Sequence, residues 1–227
     1  MVALQARALA QAGYGVLQVD LHGTGDSSGE FSEGRWARWL DDLALGLQWL
    51  RQRQEAPITL WGLRLGALLA LDFARLSSTR FEQHVLWQPV LDGQTYMNQF
   101  LRLRLANDLL NAGKPQTSVQ ALRDALFDGT SALEVAGYSL APELVQAVDV
   151  LRLADLCPVG TPVHWLEVSM TPRPPSPATQ KVLDAWAAQG VKADIRTAQG
   201  EAFWQTQEIA ECPALLSMTL DDMTRGH

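Results

Sequence analysis

The chain has 227 residues, of which 47% are hydrophobic and 19% charged, ordinary globular usage that excludes a disordered chain. Its formal net charge of −7 comes without a basic cluster, which excludes nucleic acid as a general partner. No apolar run approaches the roughly 20 residues of a bilayer span and the start lacks the pattern of a signal peptide, so a chain with no membrane span, in the cytoplasm, is expected. At this length one large α/β domain is expected rather than two small ones. Cys157 and Cys212 fit no metal spacing and are too few for a disulfide scaffold, so reduced thiols are expected and no metal or cofactor is read.

Val2, Leu4, Ala6 and Leu9 recur at helical spacing up to the turn at Gly13. A helix that feeds a parallel strand normally follows an earlier strand, so the sequence reads as if it began within a domain. Residues 14–21 (YGVLQVDL) are β-rich and bounded by glycines, which predicts a central parallel strand. The strand leads into DLHGTGDSSGEF, a tight loop by its glycines, serines and Asp26. Such a loop, leaving the carboxyl end of a parallel strand, lies where open α/β sheets bind ligands. Trp36, Trp39, Leu40, Leu43, Leu47 and Leu50 then predict one crossover helix ending before Pro57.

The next stretch, PITLWGLRLGALLALDFA, is the strongest signal in the chain. A short β-branched run passes through Gly62 and Gly66 into an apolar helix that buries Leu65, Leu68, Leu69 and Phe73. The two glycines have the spacing of a nucleophile elbow, G-x-S-x-G, where a strand turns sharply into a helix and the central residue sits on the strained turn. The central residue here is Arg64.

Residues 82–90 (EQHVLWQPV) predict another strand. Strand and helix alternation then lapses over residues 93–155, which carry a basic amphipathic piece (FLRLRLANDLL), a Gly-Lys-Pro break at Gly113, a short helix at 120–127, and VAGYSLAPELVQAVDVLRLADL. A helical insertion of this length predicts a cap over the carboxyl edge of the sheet. After it come a strand at 162–168 (PVHWLEV), a helix at 176–189, a final strand at 191–197 and a terminal helix at 203–220 interrupted near Pro213. The expected organisation is a core in two parts, 1–92 and 156–227, around the cap 93–155.

In this order the elements and the elbow resemble the α/β-hydrolase superfamily. More closely, DLHGTGDSSGEF, LWGLRLGALLALDFA, VAGYSLAPEL and GEAFWQTQEI look like the second of the two α/β-hydrolase-type proteins that accompany exosortase A systems in bacteria exporting extracellular polysaccharide. The resemblance implies a mainly parallel sheet with flanking helices and a helical cap, and a hydrolase or acyl-transfer enzyme acting on an ester-type bond. Longer members begin with further strands and a loop that supplies one oxyanion-hole amide. A truncated start would explain an opening helix and missing N-terminal strands.

Serine-type acyl transfer needs a nucleophile, a base, an acid that orients the base, and amides facing the oxyanion. The nucleophile slot implied by the resemblance holds Arg64, which stays protonated and cannot attack a carbonyl. The acid slot follows PVHWLEV, where SMTPRPPSP has no Asp and Glu167 is the nearby carboxylate. The base slot reads QGEAFW and places Glu201 or Ala202 where a histidine would stand. All three slots depart from the pattern.

Arg64 then has two readings. As a structural residue it pairs with Glu201 or Glu167, because a buried guanidinium needs a partner. As a functional residue its charge joins the amides and dipole of the helix start, framed by Gly62, Leu65 and Gly66, to bind a carboxylate or phosphate on a sugar or lipid intermediate. His22, in the glycine-rich loop, is read as a hydrogen-bonded structural residue with a catalytic role as the sharper alternative. Ser27 and Ser28 are turn caps. His84 and His164 stand near the starts of their strands, away from the usual site, and His227 is terminal. Arg102 and Arg104 read as a solvated face of the cap. Two functions follow: an esterase-like or acyl-transfer enzyme working through His22, Arg64 and Glu201 without a cofactor, or a non-catalytic relative that binds an anionic small molecule or a protein partner of the export system.

Overall fold

Four short runs rich in apolar and β-branched residues, TLWGL, QHVLW, VHWLEVS and ADIRTAQ, pair side by side in a parallel sheet. The computed structural model describes all residues except 113–116, 130–132, 172, 207–209 and 225–227, and leaves out the side chains of 110–112. The break at Gly113 and His227 therefore lie outside the described residues. In chain order the helices are α1 (Val2–Gln11), α2 (Trp36–Arg51), α3 (Leu65–Leu76), α4 (Gly93–Ala112), α5 (Val119–Phe127), α6 (Pro142–Asp149), α7 (Pro177–Ala187) and α8 (Pro213–Thr224). The strands are β1 (Thr59–Leu63), β2 (Gln83–Trp87), β3 (Leu133–Val135), β4 (Tyr138–Leu140), β5 (Val163–Ser169) and β6 (Ala193–Gln199). The chain divides into two compact units: Met1–Gln18, Arg53–Leu91 and Leu153–His227 form the first, and Val19–Gln52 with Asp92–Arg152 the second.

The first unit holds the sheet, ordered β1-β2-β5-β6 and parallel throughout. Strand β2 is buried along its whole length because it has a neighbour on each side. Val85, Trp87, Leu166, Val168 and Ala198 share one face and pack with Cys212 and Leu215 at the start of α8. Trp165, alternating with them, meets Trp186 of α7 with ring centroids 5.9 Å apart. The Trp87 indole donates to Thr219 Oγ1 at 2.8 Å, which fastens α8 to the sheet.

Residues 14–21 do not form the expected central strand. They enter no ladder among the described residues, and Val16 and Leu17 are each 37% exposed. A β-rich run becomes a strand only where a neighbouring edge takes its N–H and C=O groups, and the described ladder partners of β1 and β6 are β2 and β5 alone. The strands predicted at 162–168 and 191–197 and α7 lie within two residues of their observed bounds, the strand predicted at 82–90 already ends at Trp87, and the terminal helix begins only at Pro213.

In the second unit α4 packs on α5, α6 and β3, and α2 packs on α6. Arg123, buried on α5, donates to Asn98 Oδ1 at 3.0 Å and pairs with Asp149 of α6, tying three helices together. The insertion, expected as a helical cap, also contains an antiparallel hairpin of β3 and β4. Ala136 and Gly137, with φ of 52° and 85°, make its two-residue turn, and the left-handed backbone of both is what such hairpin turns require.

Candidate functional site

The elbow is built as the glycine spacing demands. Strand β1 ends at Leu63, Arg64 takes φ 54° and ψ −118°, and α3 begins at Leu65. A Cβ on Gly62 would stand 2.5 Å from Ala67 Cα and from the Gly66 carbonyl oxygen, so glycine is obligatory there. A Cβ on Gly66 would meet open space. A left-handed arginine costs about 1–3 kcal/mol and persists only when the surroundings over-determine it. They do so here, because Arg64 N donates to Trp87 O at 2.9 Å and Arg64 O accepts from Ala67 N at 3.1 Å and Val90 N at 3.3 Å.

The side chain is held as well. Arg64 Nη1 donates to the Gln88 carbonyl at 3.2 Å, and the guanidinium carbon lies 5.5 Å from the centroid of the Trp204 ring. Gln88 itself is left-handed, with φ 42°, although it precedes Pro89, a position that favours extended backbone. Its Oε1 accepts from Val168 N at 2.8 Å and its N donates to Leu166 O at 2.8 Å, so β5 locks it in place. Trp204 packs edge-on against Phe203 at 4.9 Å, and Phe203 against Trp87 at 6.3 Å. The elbow thus presents a guanidinium on an aromatic wall, beside the first turn of α3, whose leading amides have no intrahelical acceptor.

Of the residues singled out in the sequence, Gly62, Arg64, Leu65 and Gly66 stand together in this turn. Glu201 belongs to the same unit, is exposed, and accepts from Phe203 N through its backbone carbonyl at 2.8 Å. Glu167 is buried on β5, where its Oε1 accepts from Thr179 Oγ1 at 3.1 Å. His22 belongs to the second unit and is built into its own loop. Its N donates to Asp42 Oδ2 at 2.8 Å, its carbonyl accepts from Trp39 Nε1 at 3.0 Å, and Nε2 lies 3.8 Å from Glu33 Oε2. A Cβ on Gly29 would come within 2.2 Å of the His22 ring.

Ser27 and Ser28 lie in turns of that loop, with Ser27 N bonded to Thr24 O and Ser28 O to Gly23 N. Arg104 is exposed on α4, pairs with Asp108 at 3.1 Å and donates to Glu134 O, while Arg102 is exposed. Sequence reasoning missed Gln88 and Trp204, although GEAFW, read for its glutamate, also carries the indole.

No helix among the described residues is long and apolar enough to cross a membrane. No curated protein matches the chain. Among solved structures, Est1E from Butyrivibrio proteoclasticus is similar at 14% identity over 99% of this chain and 82% of that one, with a TM-score of 0.68. A monoacylglycerol lipase from Paleococcus ferrophilus is similar at 13% identity, over 99% and 88% of the two chains, with a TM-score of 0.62. A structure from work on the metagenome-derived lipolytic enzymes LipS and LipT gives 14%, 99%, 87% and 0.61. At these identities the likeness carries the α/β-hydrolase fold alone. A family model for serine aminopeptidase, S33, matches residues 2–159, a span that includes the elbow and ends before β5. That match covers well over half of the chain, which therefore belongs to the serine aminopeptidase S33 family of α/β-hydrolases.

Proposed function

We propose that this member of the family binds an anionic small molecule at the Arg64 elbow and does not carry out serine-type acyl transfer there. The observation that carries the reading is the elbow itself: a strained turn at the nucleophile position holds an arginine backed by Trp204. A guanidinium offers paired N–H donors to a carboxylate or phosphate, and the adjoining helix start adds amides and a favourable dipole. The likeness of four motifs to the second exosortase A-associated protein supports a ligand from extracellular polysaccharide assembly, a sugar or lipid intermediate carrying such a group, met in the cytoplasm. Calorimetry with glucose 1-phosphate and glucuronate tests it. Binding by the native chain that weakens at least roughly tenfold in Arg64→Ser, the scale of a lost charge-assisted contact, supports the reading; equal and negligible heats for both proteins overturn it.

The second reading, an ester hydrolase with unorthodox residues, is favoured by family membership. It requires labelling by a fluorophosphonate probe or turnover of p-nitrophenyl esters, lost in Glu201→Ala or His22→Ala. Absence of both across acyl lengths favours the binding protein.

A further inference from the structure

A second group of ionisable side chains lies in the first unit at the amino end of β5 and β6, the opposite end of the parallel sheet from the elbow. His164 on β5 stands in register with Asp194 on β6, and Asp222 on α8 and Arg196 on β6 complete the group. His164 Nδ1 is 3.7 Å from Asp194 Oδ2 and 3.5 Å from Asp222 Oδ1. Both distances are too long for hydrogen bonds, and Nδ1, although buried, has no hydrogen-bond partner among the described residues. They match instead the separation of two donors on one tetrahedral zinc, which at bond lengths of about 2.0–2.1 Å stand roughly 3.4 Å apart.

Asp222 supplies an independent observation. Its side chain is 0% exposed, its Oδ1 accepts from Arg196 Nη2, and its Oδ2 has no partner. A buried carboxylate oxygen without a donor is costly. One ligand atom each from His164, Asp194 and Asp222 lies within 4.8 Å of the others. Arg196, with Nη2 on Asp222 Oδ1 and Nε 3.4 Å from Asp194 Oδ2, holds both carboxylates in place beside His164.

We propose that His164 Nδ1 and one carboxylate oxygen each of Asp194 and Asp222 bind a divalent transition-metal ion of the zinc class. One imidazole and two carboxylates suit such an ion rather than calcium or magnesium, which take oxygen ligands. The ion ties the C-terminal helix α8 to strands β5 and β6 and is separate from the elbow.

The test uses the full chain, stripped with a chelator and dialysed against zinc chloride, with bound metal counted by mass spectrometry and Tm followed. The native chain is expected to retain about one zinc and to melt higher with it than without. His164→Ala and Asp194→Asn, at partly exposed positions where a folded variant is expected, are expected to lose affinity roughly tenfold or more and to lose the zinc-dependent rise in Tm. A folded native chain that retains no zinc overturns the proposal. Retention by both variants equal to the native chain also overturns it, since the ion is then adventitious and the four residues form an ion-pair network alone.

Discussion

Arg64 and Trp204 are 140 positions apart in sequence and face each other across the elbow, the guanidinium carbon 5.5 Å from the indole centroid. A cation over an indole face at that distance contributes about 0.5–1 kcal/mol where water still reaches it. Arg64 also touches Gln88, so a single substitution would mix several losses. A double-mutant cycle with Arg64→Met and Trp204→Leu isolates the pair. The expected coupling by urea denaturation is about 0.5–1 kcal/mol, and a coupling indistinguishable from zero would show that the indole only fills space.

The two elbow glycines should respond oppositely to alanine. At Gly62 the new Cβ meets the backbone of Gly66 and Ala67 at 2.5 Å, and backbone cannot swing away as a side chain can. Gly62→Ala is therefore expected to cost about 1–3 kcal/mol, the usual penalty of overpacking. At Gly66 the Cβ points into open space within α3, so Gly66→Ala is expected to stabilise by about 0.4–1 kcal/mol through the unfolded chain. Chemical denaturation of the two variants side by side checks the sign, and a loss at both positions would refute the assignment of the open space.

Periodicity located the elements whose signal is local. WGLRLG told of a sharp strand-to-helix turn and of an arginine at its apex because glycine spacing is written in consecutive residues. Residues 14–21 have the composition of a strand, but composition carries nothing about a neighbouring edge, and without one there is no ladder. The β3–β4 hairpin escaped for a different reason: three-residue strands hold too few alternations to register. At the site, Arg64 was legible and its company was not. Gln88 bonds Arg64 by its carbonyl, which every residue has, and Trp204 arrives from the far end of the chain. The zinc-class cluster was illegible for the same reason, since His164, Asp194 and Asp222 share no motif spacing and only strand register with the docking of α8 brings them together.

Trp87 and Thr219 offer a cleaner measure of buried polar cost. Both are essentially inaccessible, the indole N–H donates to Thr219 Oγ1 at 2.8 Å, and that hydroxyl donates on to Leu215 O at 2.8 Å. Thr219→Val keeps the shape and removes the acceptor, leaving a buried N–H unsatisfied at an expected cost of about 1–3 kcal/mol. Thr219→Ser keeps the acceptor and should cost less than Thr219→Val. Equal stabilities for the two variants in urea would mean that the hydrogen bond contributes nothing beyond packing.

His84 makes the fold sensitive to mild acid. It is 1% exposed on the central strand β2, its Nδ1 has no hydrogen-bond partner among the described residues, and burial lowers its pKa from 6.5 to about 4. The folded chain therefore holds a neutral imidazole over a range in which the unfolded chain takes up a proton. Stability from this residue is complete above the unfolded value of 6.5 and is lost as the pH falls from there towards about 4. Between about pH 7.5 and about pH 5 the expected loss is about 2 kcal/mol. Carboxylates begin to titrate at the lower end of that window, so the native chain must be compared with His84→Gln, in which every other group is unchanged. Urea midpoints at the two pH values should draw closer together in the variant by that amount; a native pH dependence carried over intact into His84→Gln would place the sensitive group elsewhere.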